Sequence, residues 1–221
     1  MSRIAIVFDF ETTGLEVEEG AEPIELAAIA VDLGLPGIPE VGRFDARLMR
    51  VQKPELANPK ALEVNGKTIE QINLAEDPVQ VFADFVEWAR TFTPAEDLSL
   101  PAYKRRRPLL MGHNVKFDIM FLKWAFRQYV PQGMKTYDEV FHYHTRDTLE
   151  LALFWLVDIQ EMNHSGSLVK LTEYFGIPHD AHQAMSDVEA CAEVYRRIHT
   201  LVKKIQQEAS MYVLELNEDT L

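Results

Sequence analysis

The run Ile4-Ala5-Ile6-Val7-Phe8-Asp9-Phe10-Glu11-Thr12-Thr13-Gly14 constrains this chain more than any other stretch. Its β-branched, apolar first half and its Thr-Thr-Gly end read as a buried strand that runs out into a loop. Successive side chains on a strand alternate between faces, so Asp9 and Glu11 share one face while Phe8 and Phe10 share the other. Two carboxylates side by side repel, and one keeps its proton unless a cation compensates. The pair is therefore either a solvated strand end or part of a site, and the rest of the chain has to decide.

Composition narrows the choice. A net charge of −13 over 221 residues opposes indiscriminate adhesion to nucleic acid or anionic membranes, so a polyanionic substrate needs local help. With 47% apolar residues, one sizeable core is expected. The single cysteine, Cys191, excludes an internal disulfide and fits a reducing compartment; its surroundings read as a small buried helix position rather than a catalytic thiol. No apolar run approaches the roughly 18 residues of a membrane span, and Met1-Ser2-Arg3 leads into the strand without a signal-peptide pattern. A cytoplasmic location and no membrane association are expected.

Further strands are expected at Ile24 to Asp32 and Phe44 to Val51, giving three strands in antiparallel succession. A short helix ends at Asn65-Gly66, and Asp77-Pro78 opens an amphipathic helix through Val79, Phe82, Phe85, Val86 and Ala89 to about Phe92. The irregular segment Thr93 to Pro108 contains Lys104-Arg105-Arg106-Arg107, which is either a solvated loop or a phosphate contact. Leu109 to Gly112 reads as a short strand, followed by His113-Asn114-Val115-Lys116-Phe117-Asp118 at the start of a helix, where α/β proteins commonly bind ligands. Asp147 reads as a helix cap, with a direct part at the site as the alternative. His142, His144 and His164 lack a metal-ligand spacing and read as structural or exposed. Ser165-Gly166-Ser167 caps a helix from Leu168 to Phe175, and a long helix follows His182-Gln183-Ala184-Met185-Ser186-Asp187. Residues 1–209 are expected to form one domain and 210–221 an acidic tail.

Four acids thus sit at strand or helix ends: Asp9, Glu11, Asp118 and Asp187. If they converge, they require metal, and hard oxygen ligands select Mg²⁺ or Mn²⁺. Two such ions suit phosphodiester hydrolysis, with a neighbouring histidine to accept the proton of the attacking water.

The segments Asp9-Phe10-Glu11-Thr12-Thr13-Gly14-Leu15, His113 to Asp118 and His182 to Asp187 together resemble the three motifs of the DnaQ-like 3′–5′ exonuclease superfamily, DEDDh branch. A lone D-x-E is weak evidence, but three motifs in order over about residues 3 to 200 are highly specific. The resemblance implies a ribonuclease-H-like α/β fold: a central mixed five-stranded sheet, three antiparallel plus two parallel strands, with helices on both faces. It implies two Mg²⁺ (or Mn²⁺) ions, with Asp9 bridging both, Glu11 and Asp187 on the ion that activates water, Asp118 on the leaving-group side, and His182 as general base. His179, eight residues before Asp187, does not match the spacing and is assigned to the loop.

By the same resemblance, Thr12, Thr13 and Leu15 bind the terminal nucleotide. Phe117 packs on its sugar or belongs to the core, Asn114 orders the turn, and Ala61 to Gly66 faintly resembles a segment near the terminal nucleotide. The implied substrate is a single-stranded DNA 3′ end, with release of 5′-mononucleotides. The alternatives are trimming of RNA ends or a catalytically silent nucleic-acid-binding module. No polymerase or helicase domain follows, so a proofreading role fused within this chain is not expected, whereas one as a separate subunit is compatible.

Overall fold

The computed structural model describes residues 3–130, 136–156 and 166–218, the last eight for their backbone alone. One sheet has the order β3-β2-β1-β4-β5, built from β1 (Ile4–Thr12), β2 (Pro23–Asp32), β3 (Glu40–Leu48), β4 (Leu109–Gly112) and β5 (Thr145–Asp147). β1 pairs antiparallel with β2, and β2 with β3, whereas β4 runs parallel to both β1 and β5. This is the ribonuclease-H-like mixed sheet that the motifs imply.

The two faces of β1 explain how helices are distributed around it. Ile6, Phe8 and Phe10 point into a core shared with α3 (Pro78–Arg90) and α4 (Val115–Tyr129), through Phe82, Phe85, Phe121 and Leu122. Phe8 meets Phe10 edge-on at 5.9 Å, and Phe10 lies 6.0 Å from Phe82. On the opposite face, Ala5 and Val7 pack with Val188, Cys191 and Ala192 of the long helix α8 (Ala184–Glu218). Small residues on that face let the helix approach closely. Asp9 and Glu11 continue the same alternation. They therefore emerge on the side where α8 begins, and this positions the site.

Local signals account for most boundaries. Asp77 accepts a 3.0 Å hydrogen bond from the Val79 N–H, with Pro78 at the first helical position, and α3 buries Val81, Phe82, Phe85, Val86 and Ala89. Val79, expected in the buried stripe, lies on its exposed flank. The remaining helices are α1 (Pro59–Asn65), α2 (Ile69–Asn73), α5 (Tyr137–Val140), α6 (Thr148–Trp155) and α7 (Leu168–Phe175). Gly66 ends α1 and Gly176 ends α7, both left-handed as such termini favour. Ser167 occupies the N-cap position of α7 without a side-chain cap hydrogen bond.

Two expectations need correction. β3 spans Glu40–Leu48 rather than Phe44 to Val51. It is an edge strand whose charged side chains face water: Arg43 pairs with Glu40 and Glu189, and Arg47 with Glu76 and Asp84. Only Phe44 of this strand is fully buried, so the apolar signal was displaced toward Met49 and Val51, which are buried beyond it. The expected two-residue extension of α3 to Phe92 is instead a turn.

α8 continues to Glu218, across most of the segment expected as an acidic tail; residues 219–221, like His164 and Ser165, lie outside the described residues. Among the described residues no helix is long and apolar enough to cross a membrane.

Candidate active site

β1 and β4 are parallel neighbours, so their C-terminal ends open on the same edge of the sheet. At that edge a register shift between Glu11 and Thr12 bends β1 away from β2. Across the gap, β4 turns into α4 through Asn114, whose left-handed backbone (φ 55°) is one that Asn tolerates better than most residues. A Cβ on Gly112 would stand 3.0 Å from Val115 Cγ2 and 3.4 Å from the Phe8 carbonyl, so strand and helix start are in close approach. Asp118, in the first turn of α4, is thereby brought against β1, where its Oδ1 accepts a 3.0 Å hydrogen bond from the Phe10 N–H.

Asp187 arrives from the opposite face, in the first turn of α8. Its Oδ2 accepts from the His182 N–H at 3.0 Å, and its Oδ1 lies 2.5 Å from His179 Nε2. Asp9, Glu11 and Asp187 each present a carboxylate oxygen within 4.8 Å of the others. Asp118 stands beside this trio with one oxygen engaged by Phe10. Convergence of the four acids, which no sequence pattern displays, is thus a property of the fold.

The electrostatics follow from that convergence. Burial, then Asp118, Asp187 and Glu11, hold the Asp9 carboxyl well above the usual carboxylate range. Burial and the Asp187 charge push Glu11 up to about 7. Burial raises Asp118 to about 8 despite the Phe10 hydrogen bond, and it raises Asp187 despite the His179 contact. A partly buried cluster of hard oxygen donors that resists ionisation fits a divalent cation, which removes the mutual repulsion.

This arrangement predicts a pH-dependent penalty on the metal-free fold. A carboxyl raised by folding binds more protons folded than unfolded, so stability falls as pH climbs from the unfolded to the folded value. For Glu11 that window runs from 4.5 to about 7, a rise worth roughly 3 kcal/mol. In EDTA, Glu11→Gln is expected to be more stable than wild type at pH 8, by up to about 3 kcal/mol, with the difference vanishing near pH 4. Urea unfolding at both pH values measures it, and equal midpoints at pH 8 would refute the penalty.

The carboxylates floor a cleft of about 510 Å³. Leu15, 72% exposed, stands on one wall with Ala61, Val64 and Asn65 of α1; His113, Asn114, Phe117 and the exposed His182 line it elsewhere. Phe117 lines the cleft and also packs 5.0 Å from Phe121, at the border of the core. Thr12 reaches the cleft, but its hydroxyl donates to the Gly14 carbonyl at 2.7 Å. Thr13 is buried away from the lining residues, its hydroxyl accepting from the Glu22 N–H at 2.9 Å. Both threonine hydroxyls therefore shape the loop that presents Leu15.

Two residues beside the acids, Glu25 and Lys67, escaped the sequence reading. Glu25 sits directly opposite Glu11 on β2, and Lys67 neutralises it at 2.9 Å while drawing the Glu11 carboxyl down. Only the strand register reveals that pairing. Asp147 does cap α6, accepting from Leu149 at 3.0 Å, but it also accepts the N–H groups of Asn114 (2.9 Å) and Val115 (3.1 Å), pinning the turn that leads to Asp118. Cys191 is buried against Thr148, and burial pushes its thiol up, as an inert core position requires.

The basic run is mostly engaged within its own loop, with Lys104 and Arg106 exposed and Arg107 buried. Arg106 pairs with Asp97 and Glu96, Arg105 donates to the Leu100 carbonyl, and Arg107 is buried with a hydrogen bond to the Asp138 carbonyl. None of the four basic residues lines the cleft. Among the described residues its only lysine or arginine is Lys60.

Comparison with known proteins agrees with this geometry. The RNase_T exonuclease family model matches residues 6–94 and 102–195. The chain is 30% identical over 215 residues, 97% of its length, to the PolC-type DNA polymerase III of Bacillus subtilis, of which it spans only 12%. Its fold is similar to that of E. coli exonuclease I in complex with a dT13 oligonucleotide, with a TM-score of 0.66 at 22% identity, covering 97% of this chain and 44% of that one. A zinc-bound complex of E. coli exonuclease I with single-stranded DNA matches at the same identity and TM-score, covering 97% of this chain and 43% of that one. With the family model matching most of its length over motifs that converge in space, the chain belongs to the RNase_T exonuclease family, within the DnaQ-like 3′–5′ exonucleases.

Proposed function

We propose that the chain hydrolyses the terminal phosphodiester of a single-stranded 3′ end, DNA in preference to RNA, and releases 5′-mononucleotides. The observation that carries this is the trio Asp9, Glu11 and Asp187 within 4.8 Å at the floor of a cleft whose rim holds His182. Asp9, Glu11 and Asp187 would hold one Mg²⁺ or Mn²⁺, and Asp9 with Asp118 a second. Ions so held supply an activated water and charge neutralisation at the phosphate. The imidazole of His182 takes the water's proton. Leu15, Val64 and Phe117 give the terminal base and sugar apolar walls, a setting that suits unpaired nucleotides.

Preference for DNA is supported by the oligonucleotide complexes of E. coli exonuclease I. The deciding experiment follows 5′-labelled DNA and RNA oligonucleotides of one sequence with Mg²⁺. A ladder shortening from the 3′ end, faster on DNA, is expected. Endonucleolytic products, or none, would refute the reading, while faster RNA shortening would reassign the substrate.

Lys60 should meet a substrate phosphate, since its exposed side chain lines the cleft and forms no ion pair with any described residue. Each phosphate neutralised on a single strand contributes about −0.7 to the slope of log affinity against log salt. Lys60→Gln is expected to lessen that slope by about 0.7, measured by anisotropy of a labelled oligonucleotide with Ca²⁺. An unchanged slope would remove Lys60 from the interface.

A further inference from the structure

His179 does not occupy the motif position of the general base, yet its imidazole is the one in contact with the cluster. Its side chain is 4% exposed, with Nε2 at 2.5 Å from Asp187 Oδ1 and Nδ1 at 3.2 Å from Thr172 Oγ1. Thr172, buried on α7, donates its own hydroxyl proton to the Val169 carbonyl at 2.8 Å. To hold the Asp187 carboxylate Nε2 must carry a proton, so in the neutral ring the Thr172 hydroxyl turns to donate to the bare Nδ1, and in a doubly protonated ring Nδ1–H donates to that hydroxyl instead. The loop between the two histidines is tied to the first turn of α8: the Asp180 N–H donates to Ser186 Oγ at 2.9 Å, and His182 adopts a left-handed backbone, φ 64°.

We propose that His179 is a positioning residue for Asp187, holding Oδ1 of its carboxylate while the His182 N–H holds Oδ2, so that the carboxylate plane is fixed toward Asp9 and Glu11. A carboxylate gripped at both oxygens keeps one orientation when a cation binds, and a ligand's hydrogen-bond partners set its affinity in this way. The loop then divides the work between its two histidines. His179 is turned inward and anchored through Thr172 to α7, whereas His182 lends its backbone to Asp187 and leaves its imidazole exposed in the cleft. Because Thr172 belongs to α7 and Asp187 to α8, His179 ties two helices together at the metal-ligand end.

This inference rests on the reading that the cluster holds a divalent cation, and the test separates the two. Mn²⁺ binding is measured by isothermal titration calorimetry on the full chain, together with the Mn²⁺ dependence of mononucleotide release and melting temperatures in EDTA. His179→Ala and His179→Asn are expected to weaken Mn²⁺ binding roughly 10–100-fold, while the KM for the oligonucleotide stays at the wild-type value and the rate recovers at saturating Mn²⁺. His179→Gln, whose amide nitrogen can take the place of Nε2, is expected to retain near wild-type affinity; the shorter Asn amide falls at the Nδ1 position and does not reach Asp187.

If His179→Ala does not fold, the contrast between Gln and Asn decides alone. Unchanged Mn²⁺ affinity in the Ala variant, or Gln no better than Asn, would overturn the positioning role while leaving the exonuclease reading intact. A wild-type chain that binds no Mn²⁺ would overturn both.

Discussion

Asp9→Asn is expected to lower mononucleotide release by at least roughly 10³-fold, the counterpart of several kcal/mol of transition-state charge stabilisation. The variant keeps the shape of the side chain at the end of β1 but removes an ionised oxygen from the trio with Glu11 and Asp187. Its fold should not suffer. Burial and four neighbouring carboxylates hold the Asp9 carboxyl well above its usual range, so a neutral amide relieves that repulsion.

In EDTA the variant is therefore expected to melt at or above the wild-type temperature at pH 8. Mn²⁺ separates the two proteins further. A hundredfold excess over the dissociation constant stabilises a protein that binds the ion by about 2.7 kcal/mol, a gain that Asp9→Asn should forgo. Full activity in the variant would sink the assignment of Asp9, and a lower melting temperature in EDTA would show that its charge has a structural role.

His182→Asn is expected to reduce kcat by roughly 10²- to 10⁴-fold, the usual contribution of a positioned general base. Asparagine is the informative replacement because residue 182 is left-handed, a conformation that Asn adopts more readily than Ala. The backbone N–H that holds Asp187 is thus preserved. Only the exposed imidazole is lost, so Mn²⁺ affinity should stay at the wild-type level and excess Mn²⁺ should not restore the rate. This is the opposite of the pattern expected for His179→Ala, and the two variants side by side assign the roles. A His182 variant with undiminished kcat, beside a His179 variant that saturating Mn²⁺ does not rescue, would exchange them.

Legibility in the sequence followed the range of the interaction. Asp77 and Asp147 cap helices through N–H groups two residues away, and Gly66 and Gly176 end helices through their own backbone freedom. Such features are local, and the sequence announces them. The edge strand β3 was misplaced because its partners for Arg43 and Arg47 come from Glu189 and Asp84, far along the chain, so its polarity concealed an ordered strand. For a similar reason the order of residues leaves the basic run open between solvent and phosphate. Nothing in the order of residues says that Arg106 folds back onto Asp97 or that Arg107 is buried against the Asp138 carbonyl.

The same division runs through the site. By itself the sequence determined that Asp9 and Glu11 share a face of β1 opposite Phe8 and Phe10, because a strand alternates with a period of two, and it supplied the motif acids Asp118 and Asp187 with His182. Only the tertiary structure decided that these acids meet, that Glu25 faces Glu11 with Lys67 to neutralise it, and that His179 grips Asp187. Those contacts depend on the β2 register, on α4 and α8 packing against opposite faces of one strand, and on the left-handed turn at His182. Short-range periodicity fixes where a side chain points along its own element, whereas its neighbour across space is set by how the elements bury their apolar faces together.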